Sequence, residues 1–85
     1  MYHFRALDKV SLQQLAECFN LAFSDYEQPI CFTTESLEHY LTASAVNLSL
    51  SYGAFCIEHN ALMHINAYRI ENNGNKLFVA ECTIR

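Results

Sequence analysis

Glycine and proline are scarce in this 85-residue chain, which contains two glycines and one proline. Since these residues most often interrupt regular structure, most of the chain should form helices and strands, with turns made by Asn, Asp and Ser. A disordered chain would combine low hydrophobicity with high charge. Here 52% of the residues are hydrophobic and 16% are charged. The composition therefore predicts one small folded domain over residues 1–85.

Positive charge is also scarce. Five Lys and Arg residues stand against nine Asp and Glu residues, for a net charge of -4, and no two basic residues are adjacent. A surface that follows nucleic-acid phosphates needs clustered basic side chains. We therefore expect no nucleic-acid partner.

Long apolar runs and closely spaced cysteines are both absent. No stretch approaches the roughly 20 apolar residues that span a bilayer, and the start MYHFRALDKV lacks the basic-then-apolar pattern of a signal peptide. We expect a cytoplasmic protein with no membrane partner. The cysteines are Cys18, Cys31, Cys56 and Cys82. Their even spread predicts reduced, mostly buried thiols rather than a disulfide framework.

The spacing of hydrophobic residues predicts an α+β fold with the order β-α-α-β-β-β and an antiparallel sheet. Residues 2–7 alternate like a strand. Ser11, followed by Gln14, resembles a helix-capping box, and the apolar stripe after it predicts a first helix. A second helix is predicted to begin after Thr33 or Thr34. Strands are then predicted at 52–58, 61–71 and 76–85, with turns at 59–60 and 72–75.

The last predicted strand is apolar on both sides. Leu77 and Val79 alternate with Phe78, Ala80, Cys82 and Ile84. A sheet that is apolar on both faces needs a layer on each, and two helices joined by a short loop cover only one. A second copy of the chain would satisfy both the other face and the unpaired strand edge. We therefore predict a homodimer, or another homo-oligomer, that associates through residues 76–85.

Three segments resemble the N-terminal half of the GNAT superfamily of N-acetyltransferases. They are FNLAFSDYEQP at 19–29, TTESLEHYL at 33–41 and LSLSYGAF at 48–55. The resemblance implies that residues 1–85 form a GNAT-like N-terminal domain, the first half of an acyl-CoA N-acyltransferase fold. It also implies that a full-length parent would transfer acetyl from acetyl-CoA to an amine.

The cofactor motif of that family is not found here. In the family, strand four leads into a loop of the form Gln/Arg-x-x-Gly-x-Gly/Ala, whose backbone N–H groups bind the acetyl-CoA pyrophosphate. The glycines of this chain are Gly53 and Gly74, and the sequence stops at Ile84 and Arg85. We expect a truncated member or a stand-alone remnant that binds no cofactor by itself and is inactive alone. Residues 64–68 also depart from the Gly-Phe-Ile-Leu-like run of the family, which puts an acceptor site on that strand in doubt.

The resemblance also implies four site residues. In some acetyltransferases of this type a glutamate on strand four removes a proton from the acceptor amine, which makes Glu81 the catalytic candidate. The alternative is that Glu81 is a charge that blocks pairing at an edge strand. Asp25, Tyr26 and Glu27 fall in the loop that borders the acceptor site in the family, where carboxylates would attract an amine. The alternative for these three is a solvated turn.

Three further hypotheses carry less weight. Cys56, His59 and His64 offer three metal ligands, but strand alternation separates their directions and no fourth ligand is evident, so no metal is expected. A ligand cavity beside Phe23, Tyr26 and Tyr40 stays open. Four aromatic residues resemble a stacking platform, but without interleaved Arg or Lys they are predicted to be core or interface residues. These are Tyr52, Phe55, Tyr68 and Phe78.

Overall fold

Two helices and four strands make up the computed structural model, which describes residues 1–24, 27 and 31–84. The elements are β1 (Tyr2–Ala6), α1 (Leu12–Ala22), α2 (Thr34–Ala43), β2 (Tyr52–Cys56), β3 (Ala61–Ile70) and β4 (Lys76–Thr83). The strands form one antiparallel sheet in the order β1-β2-β3-β4. The predicted α+β class and element order are confirmed. The first strand ends one residue early, because Leu7 begins a 3-10 turn, Leu7–Lys9, and is buried.

Each helix is capped by its own side chains. The Gln14 backbone N–H donates to Ser11 Oγ over 3.1 Å at the start of α1. At α2 the cap is Thr33, whose hydroxyl accepts from the Ser36 N–H over 3.0 Å while the Thr33 N–H donates to Ser36 Oγ over 2.9 Å. Such contacts satisfy the first N–H groups of a helix, which have no partner within it. The predicted cap at Ser11 is confirmed, and Thr33 rather than Thr34 caps the second helix.

Both helices pack on one face of the sheet, called the covered face below. Its most buried side chains are Leu37 from α2 and Ile65 from β3, each 0% exposed. The hydrophobic core there consists of Leu7, Leu15, Ala16, Cys18, Phe19, Leu37, Leu41, Phe55, Leu62, Ile65 and Cys82. The core is therefore built by one face of each helix, by Leu7 and by one or two side chains from each of β2, β3 and β4.

A first β-bulge in the sheet explains a spacing of three in this core. Ala54 lies opposite His64 whereas Phe55 lies opposite Leu62, so Met63 is an extra residue in β3. Strict alternation would place Leu62 and Ile65 on opposite faces. The extra residue shifts the alternation by one position, and both side chains reach the core.

A second bulge corrects the prediction for the last strand. Ala67 lies opposite Ala80 and Tyr68 opposite Phe78, so Val79 is the extra residue in β4. Phe78 therefore projects from the face opposite to that of Cys82, which packs in the core. The prediction that Phe78 shares a face with Ala80 and Cys82 is wrong, because sequence alternation alone does not show a bulge.

The predicted hairpin turn between β3 and β4 is confirmed. Glu71 N–H donates to the Asn75 carbonyl over 2.9 Å, and Gly74 N–H donates to the Glu71 carbonyl over 2.8 Å. Gly74 alone of the Asn73-Gly74 pair has a positive φ, at 85°. This is the three-residue loop in which a turn is followed by a left-handed residue, a conformation that favours glycine. No helix in the described part of the chain is long and apolar enough to cross a membrane.

Candidate functional site

The sheet face opposite α1 and α2, called the free face below, is lined by all four strands. Residues paired across antiparallel strands share a face, so the strand registers identify its members. They are Tyr2, Phe4, Ala6, Tyr52, Ala54, Cys56, His64, Asn66, Tyr68, Ile70, Lys76, Phe78, Glu81 and Thr83. None of them belongs to the core formed with the helices.

Four rings form a diagonal row across the free face, called the aromatic row below. Phe4 meets Tyr52 edge-on with centroids 6.0 Å apart, Tyr52 stacks on Tyr68 at 6.3 Å, and Tyr68 meets Phe78 edge-on at 5.9 Å. These separations lie within the range at which aromatic pairs attract. The row therefore joins one edge strand to the other through both central strands.

The aromatic row is open to solvent at its ends. Phe4 is 68% exposed and Phe78 is 51% exposed, whereas Tyr52 and Tyr68 are half-buried between their neighbours. The Lys76 ammonium lies over the Tyr68 ring, with Nζ 4.1 Å from the centroid. Large apolar rings exposed side by side on one face are the feature that marks interaction surfaces.

A polar cluster lies beside the row on β3 and β4. His64 Nδ1 is 2.6 Å from Thr83 Oγ1, and His64 Nε2 is 2.6 Å from Asn66 Nδ2. Because the Asn66 amide donates to Nε2, Nδ1 carries the ring hydrogen and donates it to Thr83. Glu81 Oε2 is 4.0 Å from His64 Nε2. Both nitrogens of the imidazole are thus engaged by neighbouring side chains.

This arrangement limits the chemistry of the cluster. A hydroxyl nucleophile needs a base that accepts its proton, but His64 donates to Thr83 instead of accepting from it. The lone pair on Nε2, which a metal ion would need, is used by Asn66. The cluster therefore orders the side chains between β3 and β4 rather than activating Thr83.

Glu81, the catalytic candidate, lies on the free face of the edge strand β4. Its side chain is 59% exposed and its nearest ionisable neighbour is His64. An acid–base role requires the carboxylate to be within hydrogen-bonding reach of a bound amine. The position is open enough to admit one, and it is equally the position of a charge that protects a sheet edge.

The other three candidates fall in the connection between α1 and α2. Asp25 and Tyr26 lie outside the described residues. Glu27 is described and exposed. Glu81 stands on the sheet at β4, and the described part of the chain shows no contact that brings Glu27 to it. Among the described residues, Glu27 and Glu81 are therefore not brought together, and because Asp25 and Tyr26 lie outside them the acceptor-site hypothesis stays a prediction.

Sequence reasoning found part of the aromatic row. Tyr52, Tyr68 and Phe78 were grouped with Phe55, but Phe55 lies in the core on the covered face. Phe4 completes the row instead. The alternating pattern of residues 2–7 predicts that Phe4 and Tyr2 share a face. It does not predict the β1–β2 register that brings Phe4 to Tyr52.

The candidate metal ligands are not brought together. Cys56 donates to Glu58 Oε2 over 3.3 Å, and His64 is held by Thr83 and Asn66. Within residues 1–24, 27 and 31–84, no three side chains of His, Cys, Asp or Glu converge as a metal site would require.

The two helix starts are the places where a cofactor phosphate would be expected to bind. At α1 the Gln14 N–H donates a hydrogen bond to Ser11 Oγ. At α2 Thr33 and Ser36 form two hydrogen bonds, each with its backbone N–H donating to the other's hydroxyl. Gly53 lies within a strand and Gly74 within a hairpin. The caps therefore occupy the N–H of the third residue of each helix, and neither glycine lies at a helix start.

Comparisons with known proteins add no relative. No family model, no curated protein and no solved structure matches this chain. The likeness to acetyltransferases thus depends on the three sequence segments and on the order of the elements.

Proposed function

We propose that this chain is the N-terminal half of a GNAT-like acetyltransferase fold and does not itself transfer acetyl groups. The observation that carries the proposal is the connection between β1 and β2. These strands are direct antiparallel neighbours, yet α1 and α2 lie between them in sequence and pack on one face. This is the arrangement that the resemblance implies for the start of an acyl-CoA N-acyltransferase fold.

The free face supports the same proposal. An acyltransferase half should have a sheet with one uncovered face and an unpaired last strand, where the remaining chain would pack. Here β4 ends the sheet order, and its Phe78, on the free face, is 51% exposed. Apolar side chains at such positions favour a further layer of protein.

In the full-length parent the reaction would be transfer of acetyl from acetyl-CoA to an amine. Glu81 would remove the amine proton, directly or through water, and Asp25, Tyr26 and Glu27 would border the acceptor. In this chain neither glycine lies at a helix start, so no catalytic step is assigned to it.

Reading the coding DNA beyond the Arg85 codon tests the first part of the proposal. We expect a Gln/Arg-x-x-Gly-x-Gly/Ala motif that opens a helix, in the same frame or behind a frameshift. If no frame encodes it, the chain is not half of an enzyme encoded at that locus.

A thermal-shift titration with CoA and acetyl-CoA tests the second part. Ligand at 100 times its Kd stabilises by about 2.7 kcal/mol, which moves the midpoint of a domain of this size by about 10 °C or more. We expect no shift at millimolar ligand. A saturable shift of that size would mean that the 85 residues bind the cofactor, and the proposal of an inactive half would be wrong.

A second candidate function is self-association, and the aromatic row is the observation that favours it. We propose that two copies pack free face to free face. The row reads Phe-Tyr-Tyr-Phe from β1 to β4, so it has the same chemistry in both directions. A two-fold interface brings the same surface of two copies together. A row that reads the same in both directions can therefore pack against its own copy.

Area and charge support a second copy as the occupant. Six apolar side chains on the free face expose roughly 500 Å² together, since an aromatic side chain buries about 150–250 Å² when fully covered. They are Tyr2, Phe4, Tyr52, Tyr68, Ile70 and Phe78. A standard interface buries about 800 Å² per partner, and neighbouring polar side chains supply the rest. Lys76 and Glu81 have opposite charges, so two copies of this face do not repel strongly.

Packing of the faces is favoured over pairing of the β4 edges. The bulge at Val79 disturbs the hydrogen-bonding edge of β4, and a bulge is one of the devices that discourage edge pairing. Residues 76–83 would then contribute to the dimer interface through the Phe78 side chain rather than through backbone hydrogen bonds.

Light scattering after size exclusion, at micromolar concentration, tests self-association. The expected mass is that of two chains. A Phe4→Ser, Phe78→Ser double variant should give one chain, and Leu21→Ser, which removes a 60% exposed leucine from α1, should leave two. A monomeric wild type, or a double variant that stays dimeric and folded by circular dichroism, would contradict this proposal.

A further inference from the structure

Two buried cysteines meet where α1 crosses β4. The Sγ atoms of Cys18 and Cys82 are 3.9 Å apart, and the residues are 1% and 4% exposed. The other two cysteines differ, since Cys31 is exposed and Cys56 donates to Glu58. The fold therefore brings together one thiol pair from residues 64 positions apart in sequence.

A cavity borders Cys18, one member of this pair. It has a volume of about 190 Å³. It is lined by residues of α1, among them Cys18, by Asn60 in the β2–β3 turn, by the first residues of β3 and by Ile84. Met63 and Ile84 are among the lining residues. A water molecule takes up about 30 Å³ in the liquid, so the cavity is large enough for hydrogen peroxide or another small hydroperoxide. Larger oxidants such as glutathione disulfide would not fit beside Cys18.

We propose that Cys18 and Cys82 form an oxidation site at which a small hydroperoxide, entering through this cavity, converts the two thiols to a disulfide between α1 and β4. The site is independent of both proposed functions, because it involves neither the free face nor any cofactor.

One hydrogen bond links the two sulfurs, and either of them can donate it. When Cys18 donates, the bond lowers the pKa of Cys82 below its usual value. The same hydrogen bond, with burial, raises the pKa of Cys18. Loss of one proton therefore leaves the negative charge on Cys82. Cys18, which borders the cavity, becomes the thiolate only when its proton moves along the hydrogen bond to Cys82.

The reaction then balances in two steps. The Cys18 thiolate attacks the peroxide, an S–O bond forms, the O–O bond breaks, and the departing oxygen takes up a proton to leave as water or an alcohol. The Cys82 sulfur next attacks the sulfenic sulfur of Cys18. The S–S bond forms, the S–O bond breaks, and hydroxide leaves with the Cys82 proton as water. Two thiols and one hydroperoxide give one disulfide and two oxygen-containing products.

The test is a non-reducing peptide map after treatment with hydrogen peroxide. Trypsin cuts after Lys76, so Cys82 falls in the fragment 77–85, whereas Cys18 falls in the fragment 10–69. A Cys31→Ser, Cys56→Ser background leaves only the proposed pair. We expect fragment 77–85 to be joined to fragment 10–69, and the intact chain to lose two hydrogen atoms in mass and regain them with dithiothreitol.

Two controls separate the folded site from chance oxidation. Adding Cys18→Ser or Cys82→Ser to that background should abolish the link. The same peroxide treatment in strong denaturant should give a several-fold lower yield of the intramolecular link, because the fold no longer holds the sulfurs together. If a background variant fails to fold, the wild-type chain is mapped instead, with the exposed Cys31 blocked beforehand by brief alkylation of the native protein.

Three outcomes would overturn the proposal. One is that fragment 77–85 keeps its free thiol at a peroxide dose that oxidises Cys31 in the unblocked wild-type chain, which would show that the pair is inert. Oxygen may add to Met63 while both thiols survive, which would show that peroxide enters the cavity without reacting with the sulfurs. The link may form as fast in denaturant, in which case the folded geometry contributes nothing.

Discussion

The two faces of the sheet use the same four strands and differ in what covers them. On the covered face, Phe55, Leu62 and Ile65 are at most 5% exposed because α1 and α2 pack over them. On the free face, Phe4 and Phe78 are more than half exposed although they are as apolar. The helices therefore complete one core and leave a second apolar surface that needs another layer. Residue type alone does not tell the two faces apart.

The largest expected difference between the faces is the effect of truncating one side chain on each. Ile65→Ala should destabilise the fold by about 2–5 kcal/mol, because it leaves a cavity in a packed core. Phe78→Ala should cost about 1 kcal/mol or less, since it removes one ring contact at the surface. Urea unfolding at concentrations low enough to exclude self-association measures both. Equal losses would mean that the free face is as structural as the covered one.

A domain of this size has only about 4–13 kcal/mol of stability, so Ile65→Ala is also expected to lower expression. Ile65→Val, at about 0.5–1.5 kcal/mol, keeps the comparison measurable. The loss of stability from Ile65→Val should still exceed the loss from Tyr2→Ala on the free face, because 56% of Tyr2 is already exposed.

A second comparison concerns the two glycines. A Cβ at Gly53 would lie 2.5 Å from Leu62 Cδ1 and 3.3 Å from the His64 carbonyl oxygen, on the covered face. Gly53→Ala should therefore cost about 1–3 kcal/mol through overpacking. Gly74 has open space around it but a φ of +85°, so Gly74→Ala should cost about 1–2 kcal/mol through strain alone.

The midpoints of thermal unfolding separate these causes. Serine at position 53 should be no better tolerated than alanine, whereas Gly74→Asn should recover much of the loss at the turn, since Asn tolerates a left-handed backbone. A neutral Gly53→Ala variant would show that Leu62 has room to move, and the covered face would be less tightly packed than its burial indicates.

The sequence predicted what depends on local pattern. Helix α1, its cap at Ser11 and the turn at Gly74 follow from periodicity, capping chemistry and the φ that glycine tolerates, and all three are confirmed. The bulges at Met63 and Val79 were not predicted, because an extra residue leaves no mark in an alternating pattern. For that reason Phe78 was assigned to the wrong face.

The free face was harder to predict than the fold. Phe4 joins the aromatic row only through the register of β1 on β2, and that pairing closes across about 50 residues. The Cys18–Cys82 contact likewise joins a helix to the last strand. Residue type suggested buried thiols, but only tertiary packing decides which two thiols meet.

A smaller effect is expected from the cation that covers part of the free face. Lys76→Ala removes the ammonium above the Tyr68 ring and should cost about 0.5–1 kcal/mol, the usual worth of an exposed cation–π contact. Lys76→Arg should restore it, and Lys9→Ala, in the exposed 3-10 turn, should change the free energy of unfolding little. If Lys76→Ala and Lys9→Ala lower the free energy of unfolding by the same amount, the cation–π contact over Tyr68 does not stabilise the fold. The contacts between the aromatic rings would then be the stabilising contacts of the free face.

The smallest expected effect lies at the rim of the sheet, where the Met1 ammonium is 2.6 Å from Glu58 Oε1. That hydrogen bond, together with bonds from the Glu58 backbone and from Cys56, lowers the pKa of Glu58 from 4.5 to about 2. The same bond to Glu58 raises the pKa of the ammonium above 8.0. A lowered folded-state pKa gives stability that is present above pH 4.5 and is lost as the pH falls toward 2. A raised one gives stability that is present below pH 8.0 and is lost at higher pH. The pair should therefore stabilise most between these limits.

Both groups at this rim are exposed, so salt should screen the attraction and the effect should be small. Glu58→Gln should lower the unfolding midpoint of the 85-residue chain slightly at pH 6, and less in high salt. The difference should shrink as the pH falls from 4.5 toward 2, because Glu58 becomes protonated over that range. Glu38→Gln, on the exposed side of α2, is the matched control and should lower the midpoint less than Glu58→Gln at pH 6. A Glu58→Gln loss that persists unchanged in acid would mean that the carboxylate acts through its bond from Cys56, on the free face, rather than through the charge of Met1.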